Sequence, residues 1–219
     1  MTMKNSLSRR QEILKTKFFV RYIGYRLGAE SPYKLALLFD SHFPDLSSTQ
    51  ASGKWSGYWT GQRALSHSRK DFFKHVCEWQ PGMDVVYENG PANLWLALWG
   101  PVHVLWALVA PQSPDEDTVS VPRADHLDQL ANDLRLRVEV LEDGDCLNAL
   151  AHLAEAVALL RLMHSVRQDS SPPRTISAVG KMIEDLQQHI ENNKKYPLFD
   201  LSADVRAELS WLVGRPDGL

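Results

Sequence analysis

Cysteine is scarce in this chain. Only Cys77 and Cys146 occur among 219 residues, far apart and at no metal-ligand or redox spacing. Their scarcity argues against a disulfide framework or a zinc finger and predicts a protein of the reducing cytoplasm. The opening residues Met1-Thr2-Met3-Lys4-Asn5 lack the apolar run of a secretory signal, which points the same way. Strand-like alternation is nearly missing, with Val85-Val86-Tyr87 the one short candidate. Also missing are a Gly-x-Ser-x-Gly elbow, a glycine-rich phosphate loop with its lysine, and a His-Glu-x-x-His run. Those absences remove the commonest hydrolase, nucleotidase and metalloprotease readings. His152-Leu153-Ala154-Glu155 places two metal-capable groups on one helical face. Its order is the reverse of the Glu-x-x-His pair of di-iron bundles, and no second copy exists. No cofactor or metal is implied, and a non-enzymatic protein is expected.

Long uncharged runs are equally rare. Ala92 to Ala110 is the exception, with no formal charge and the length of a membrane span. Asn93, His103 and the Gly100-Pro101 break divide it into pieces too short to cross. A buried hairpin or kinked helix is expected there, and no membrane partner.

The charges that are present are unevenly distributed. Residues 1–80 hold thirteen Lys or Arg against six acids, a net of +7, whereas the remainder holds eleven against twenty-one, a net of −10. The whole chain carries −3, and its 44% apolar and 23% charged residues are ordinary for a folded protein. A basic end beside an acidic end suggests one region facing a polyanion and another facing solvent or a protein partner.

Helical signals run through the chain. Ser8-Arg9-Arg10-Gln11 has capping-box form and opens a helix through Ile13, Leu14, Phe18 and Tyr22 to Gly28, whose other face carries Arg10, Lys17 and Arg21. Ser31-Pro32 is an N-cap followed by proline at the first helical position, predicting a helix that stops before Pro44. Ser66 begins another, through Phe72, Phe73 and Val76 to Pro81-Gly82. Farther on, Leu127, Leu130, Leu134, Val138 and Leu141 recur at helical spacing up to Asp143-Gly144. Asp145 can cap the next helix, whose apolar residues from Leu147 to Met163 cover most of its circumference and mark it as central to the core. Ile176 to Ile190 and a Ser202-capped segment complete the series, with loops at Pro111–Pro122 and Ser170–Pro173. The expected architecture is all-α, with a small basic domain over 1–85 and an acidic helical bundle domain over 86–219.

One stretch in the basic part stands out, Ser52 to Ser66, with the layout of a short helix ending at Gly61, a basic turn and a fresh helix start. The surrounding segment 32–76 resembles the Cro/repressor-like helix-turn-helix family. Ser52, Trp55, Gly61, Arg63 and Ser66 echo its Ser-x-x-Trp-x-x-Gly-x-Arg-x-Pro-Ser run. Trp55 stands three residues early, Leu65 replaces the usual proline, and the compact Ala-x-x-x-Gly turn is missing. The resemblance implies binding to double-stranded DNA. Lys54, Ser56 and Gln62 would then read base edges, Arg63, Arg69 and Lys70 would neutralise phosphates, and Tyr58 could do either. It also implies a cytoplasmic regulator or accessory factor, of a mobile element or defence system, that works as a dimer. The amphipathic helices of 86–219 would serve self-association or a protein partner.

Two other readings remain open. In the first, the chain is a protein-interaction subunit whose Trp-rich segment 95–106 builds a core or docks a partner. In the second, Arg69-Lys70-Asp71-Phe72-Phe73-Lys74-His75 is similar to the Arg-x(4–6)-His element of the HEPN ribonuclease family, which implies RNA cleavage through Arg69 and His75.

Overall fold

Among the described residues of the computed structural model, which are 9–65, 70–110, 124–166, 173–193 and 202–213, eleven α-helices and one 3-10 turn form and no strand does. The chain divides into two units, at Glu88 and Asn89 rather than at residue 85. Ser8, Ser66, Arg69, the 111–122 loop and residues 170–172 lie outside the described set.

The first unit holds α1 (Arg9–Arg26), α2 (Pro32–His42), α3 (Lys54–Trp59), α4 (Lys70–Trp79) and α5 (Met83–Asn89). Local chemistry sets α2 as expected: the Ser31 side chain accepts a hydrogen bond from the Lys34 amide and Pro32 fills the first turn. The residues expected to form a strand, 85–87, are helical instead. Met83 and Tyr87 are four apart and both buried, so one helical face delivers both to the core, while Val85 between them stays exposed. Tertiary burial here overrides the β-preference of paired valines.

Aromatic rings dominate this core. Phe39 lies within 4.9–5.5 Å of Phe43, Trp55, Phe72 and Trp79, and Phe19 meets Tyr87 edge-on at 5.2 Å. Such tilted pairs add to the stabilisation that burial of large rings supplies. A polar chain locks the segment before α3. The Asp40 carboxylate accepts from the Ser48 hydroxyl, the Thr49 amide and hydroxyl, and the Gln50 amide. The Thr49 hydroxyl in turn accepts from the buried Trp55 indole N–H at 2.9 Å. Burial opposes the charge on Asp40, yet the donors from Thr49, Gln50 and Ser48 prevail and hold its carboxyl below the usual carboxylate range.

The second unit is organised by α9 (Cys146–Val166), buried at thirteen positions that include nearly every residue from Ala149 to Met163. It begins as the capping argument requires, with the Asp145 carboxylate accepting from the Asn148 amide. Alanines at 149, 154, 156 and 158 keep its surface narrow. Helices α6 (Leu94–Trp99), α7 (Val102–Val109), α8 (Ala124–Glu139), α10 (Pro173–Asn192) and α11 (Ser202–Val213) all pack on it. In α8 the buried set is Leu127, Leu130, Ala131 and Leu134, and in α10 it is Val179, Met182, Ile183, Leu186 and Ile190, a single stripe in each. The uncharged run 92–110 is broken at Gly100-Pro101 into α6 and α7, six and eight residues long. Of the described helices, α9 alone is long and apolar enough to cross a membrane, and 72% of that window is buried inside the protein.

A buried arginine holds the break in place. Arg161 on α9 donates to the Ala97 carbonyl at 2.7 Å and the Gly100 carbonyl at 2.8 Å, capping the C-terminal end of α6. It meets no carboxylate among the described residues, and burial pulls its pKa down.

Candidate nucleic-acid interface

The turn that closes α3 gathers positive charge from two parts of the chain. Gly61 follows the helix at φ +77°, a left-handed conformation that glycine adopts without strain. A methyl group there would also collide with the Lys17 side chain and Ile13, so α1 passes directly over this turn. One helical turn along α1, the Arg21 guanidinium sits 5.7 Å from the centre of the Trp59 ring. From the other side, the aliphatic stem of Arg63 lies across Gly57, where a Cβ would come within 2.9 Å of it. Lys17, Arg21 and Arg63 therefore surround the last turn of one short helix.

The backbone carrying Arg63 is fixed at both ends. Its amide donates to the Gly57 carbonyl at 3.0 Å. Two residues later, the Leu65 amide donates to the Thr16 hydroxyl of α1 and the Leu65 carbonyl accepts from the Tyr87 hydroxyl of α5, both at 2.8 Å. Burial pushes the Tyr87 phenol up to about 12, so it remains a donor throughout the physiological range.

Three lysines of this unit, Lys15, Lys34 and Lys74, pair with acids. Lys15 is buried, donating to the Glu88 carbonyl at 2.9 Å with the Glu88 carboxylate at 3.7 Å. Burial lowers its pKa, and Glu88 opposes that shift. Lys34 pairs with Glu30, which precedes α2, and Lys74 with Glu78 one helical turn along α4. Arg63 is exposed and meets no carboxylate among the described residues.

The sequence-derived site residues separate into groups. Ser56, Gln62 and Arg63 are exposed on and just after α3. Lys54 is half-buried, with its ammonium 5.6 Å from the centre of the Phe72 ring. Tyr58 is completely buried in the aromatic core and stacks on Phe72, so it cannot reach a base or a phosphate. Its spacing from Trp55 placed it on the inward face, and packing claims it. Arg69 lies outside the described residues, and Lys70 opens α4 with its side chain also outside them. Lys17 and Arg21 were legible only as the polar face of the first helix. The signal that links them to Arg63 is a glycine at 57 and another at 61, where close approach leaves no room for a side chain.

Residues 43–53 join α2 to α3, a connection longer than the three or four residues of the compact helix-turn-helix, and α3 itself spans six residues. His75 stacks edge-on against Phe43 at 5.3 Å. Its Nδ1 donates to the Asp71 carbonyl at 2.6 Å. Elsewhere, His152 Nδ1 is 3.9 Å from Glu155, and burial lowers its pKa. Among the described residues no three His, Cys, Asp or Glu side chains gather closely enough to hold a metal ion.

Comparison with known protein families, with characterised proteins and with solved structures finds no match to this chain.

Proposed function

We propose that this protein is a non-enzymatic regulatory or accessory factor that binds double-stranded DNA through its amino-terminal unit, chiefly by its phosphates. The observation that carries this reading is the convergence of Lys17, Arg21 and Arg63 on the turn after α3. Cations held by rigid backbone at one place match a row of phosphates better than the same charges scattered on loops. With Trp55 and Tyr58 committed to the core, α3 offers few groups to a groove: Ser56 and Gln62 are the candidate base readers, with Lys54 beside them. Arg69 and Lys70, next in the chain, extend the proposed phosphate-facing set.

Salt-titrated binding to a mixed-sequence duplex tests the reading. Each lost phosphate contact lowers the slope of log affinity against log salt by about 1, so Lys17→Ala, Arg21→Ala and Arg63→Ala together should lower it by about 3. Unchanged affinity and slope in a folded triple variant would defeat the proposal.

A second reading, a protein-interaction role for the acidic unit, rests on a different observation. Around the connection between α8 and α9, Val140 and Leu147 are 78% and 66% exposed, and Leu136 is also exposed. Such apolar groups on a surface otherwise well supplied with charge suit self-association or a partner. Sedimentation of Val140→Glu with Leu147→Glu against the unaltered chain tests it, and identical concentration-independent monomers would remove the self-association form.

A further inference from the structure

In the second unit, α7 and α8 part over α9 to leave an open groove of about 540 Å³. One wall is apolar, with Leu108 and Val109 facing Leu130. The other end is polar, lined by Asp133, Arg137 and Glu155. Apolar side chains beside a few convergent charged groups, in a volume of several hundred Å³, are features that small-molecule sites share.

The charges at the polar end are not equivalent. Both terminal nitrogens of the Arg137 guanidinium donate to the two Glu155 oxygens, so each group satisfies the other in a bidentate pair. Asp133 stands one helical turn before Arg137 on α8. It is exposed and has no hydrogen bond or ion pair among the described residues. The polar end thus carries two carboxylates and one guanidinium, and the carboxylate with no protein partner among the described residues is that of Asp133. An incoming anion would face that net negative charge and find the arginine occupied. An incoming ammonium would find a carboxylate ready.

We propose that this groove binds a small amphipathic organic amine, its apolar body against Leu108, Val109 and Leu130 and its ammonium at Asp133. The inference is independent of the DNA-binding reading, because every residue in it belongs to the second unit.

Three probes with one shared apolar body test it: 4-phenylbutylamine, 4-phenylbutanol and 4-phenylbutyrate, titrated against the full-length chain by calorimetry with ligand-detected magnetic resonance. The amine is expected to bind about tenfold tighter than the alcohol, with the acid weakest, since only the head group's attraction or repulsion at Asp133 differs. Asp133→Asn should bring the amine down to the alcohol's affinity while the alcohol's own binding persists, which also reports that the groove is intact. Ala107→Trp, at an exposed groove position, should abolish binding of all three by filling the space. Equal binding of the three probes, an amine preference that survives Asp133→Asn, or no binding at millimolar concentration would each overturn the proposal. So would an Ala107→Trp variant that splits an oligomer while no amine binds, because the groove would then belong to a second copy of the chain.

Discussion

The two units of this protein solve the problem of a stable core with different materials. In the first, short helices of six to eighteen residues are tied by aromatic rings and by buried hydrogen bonds that cross from one element to another. The second wraps five helices around α9 mainly with aliphatic side chains, joined by the stacked rings of Trp95 and Trp99, and a single buried arginine supplies its main polar tie. Short helices gain little from their own hydrogen-bonded turns, so they depend on specific side-chain contacts to hold their ends. A 21-residue central helix provides its own scaffold and asks of its neighbours mainly a fitting apolar stripe. The first arrangement places side chains with accuracy around a turn. The second leaves a groove where two helices diverge.

The sharpest way to break the comparison is to remove the ring that serves both the aromatic core and the polar chain. Trp55→Ala should cost about 3–5 kcal/mol, combining a lost buried indole with a cavity and a Thr49 hydroxyl stripped of its donor. Hydrogen exchange should then show protection lost across α1–α3 and retained in α9. Equal loss in both units would mean that they unfold as one cooperative body and that the contrast in materials has no energetic consequence.

The corresponding change in the second unit is Arg161→Ala, expected to cost about 2–3 kcal/mol. Two carbonyls lose charge-assisted donors, while relief of the arginine's own desolvation offsets part of that loss. Arg161→Met should recover some of it by filling the volume, and urea denaturation separates the two variants. If alanine and methionine prove equally mild, the guanidinium is a passenger and the Gly100-Pro101 break holds itself.

How far the sequence foretold these arrangements depends on the distance over which each signal acts. Ser31-Pro32, Asp145 and the stripe in α10 are local, and the elements they announce stand where expected, whereas α8 keeps its stripe through Leu134 but ends at Glu139, short of Leu141 and Gly144. Residues 85–87 read as a strand because paired valines carry a β-preference, and only the burial of Met83 with Tyr87 turns them helical. The cationic turn was legible from one side only. Arg63 belonged to a recognisable run, but Lys17 and Arg21 sit over forty residues earlier and join it through tertiary contact. Tyr58 shows the opposite failure: a residue next to the basic turn in sequence faces inward because a short helix has only two sides to offer.

Tyr87→Phe tests whether the first unit's polar ties serve position as well as stability. The variant keeps the ring and removes one hydroxyl, leaving the Leu65 carbonyl without its donor, at a cost of about 1–2 kcal/mol. Leu65 anchors the segment bearing Arg63, so DNA affinity at low salt should fall more than the small stability change explains. A variant with reduced stability and unaltered affinity would show that the turn is held well enough by Thr16 alone.

The smallest effect expected is at Asp40. Asp40→Asn keeps one acceptor oxygen and loses the charge, and because solvent reaches part of this carboxylate the cost at neutral pH should be about 1 kcal/mol. Its signature is pH dependence. The folded state holds the Asp40 pKa below its unfolded value near 3.8, so the native chain binds this proton less readily than the unfolded chain does. The resulting stabilisation is fully present above pH 3.8 and disappears as pH falls through the lowered value. Urea midpoints measured from pH 6 downward should therefore show the unaltered chain and Asp40→Asn converging in acid. If convergence failed, and the difference persisted unchanged to pH 2, the Asp40 hydrogen bonds would be serving as neutral contacts and its charge would add nothing to the order of the loop before α3.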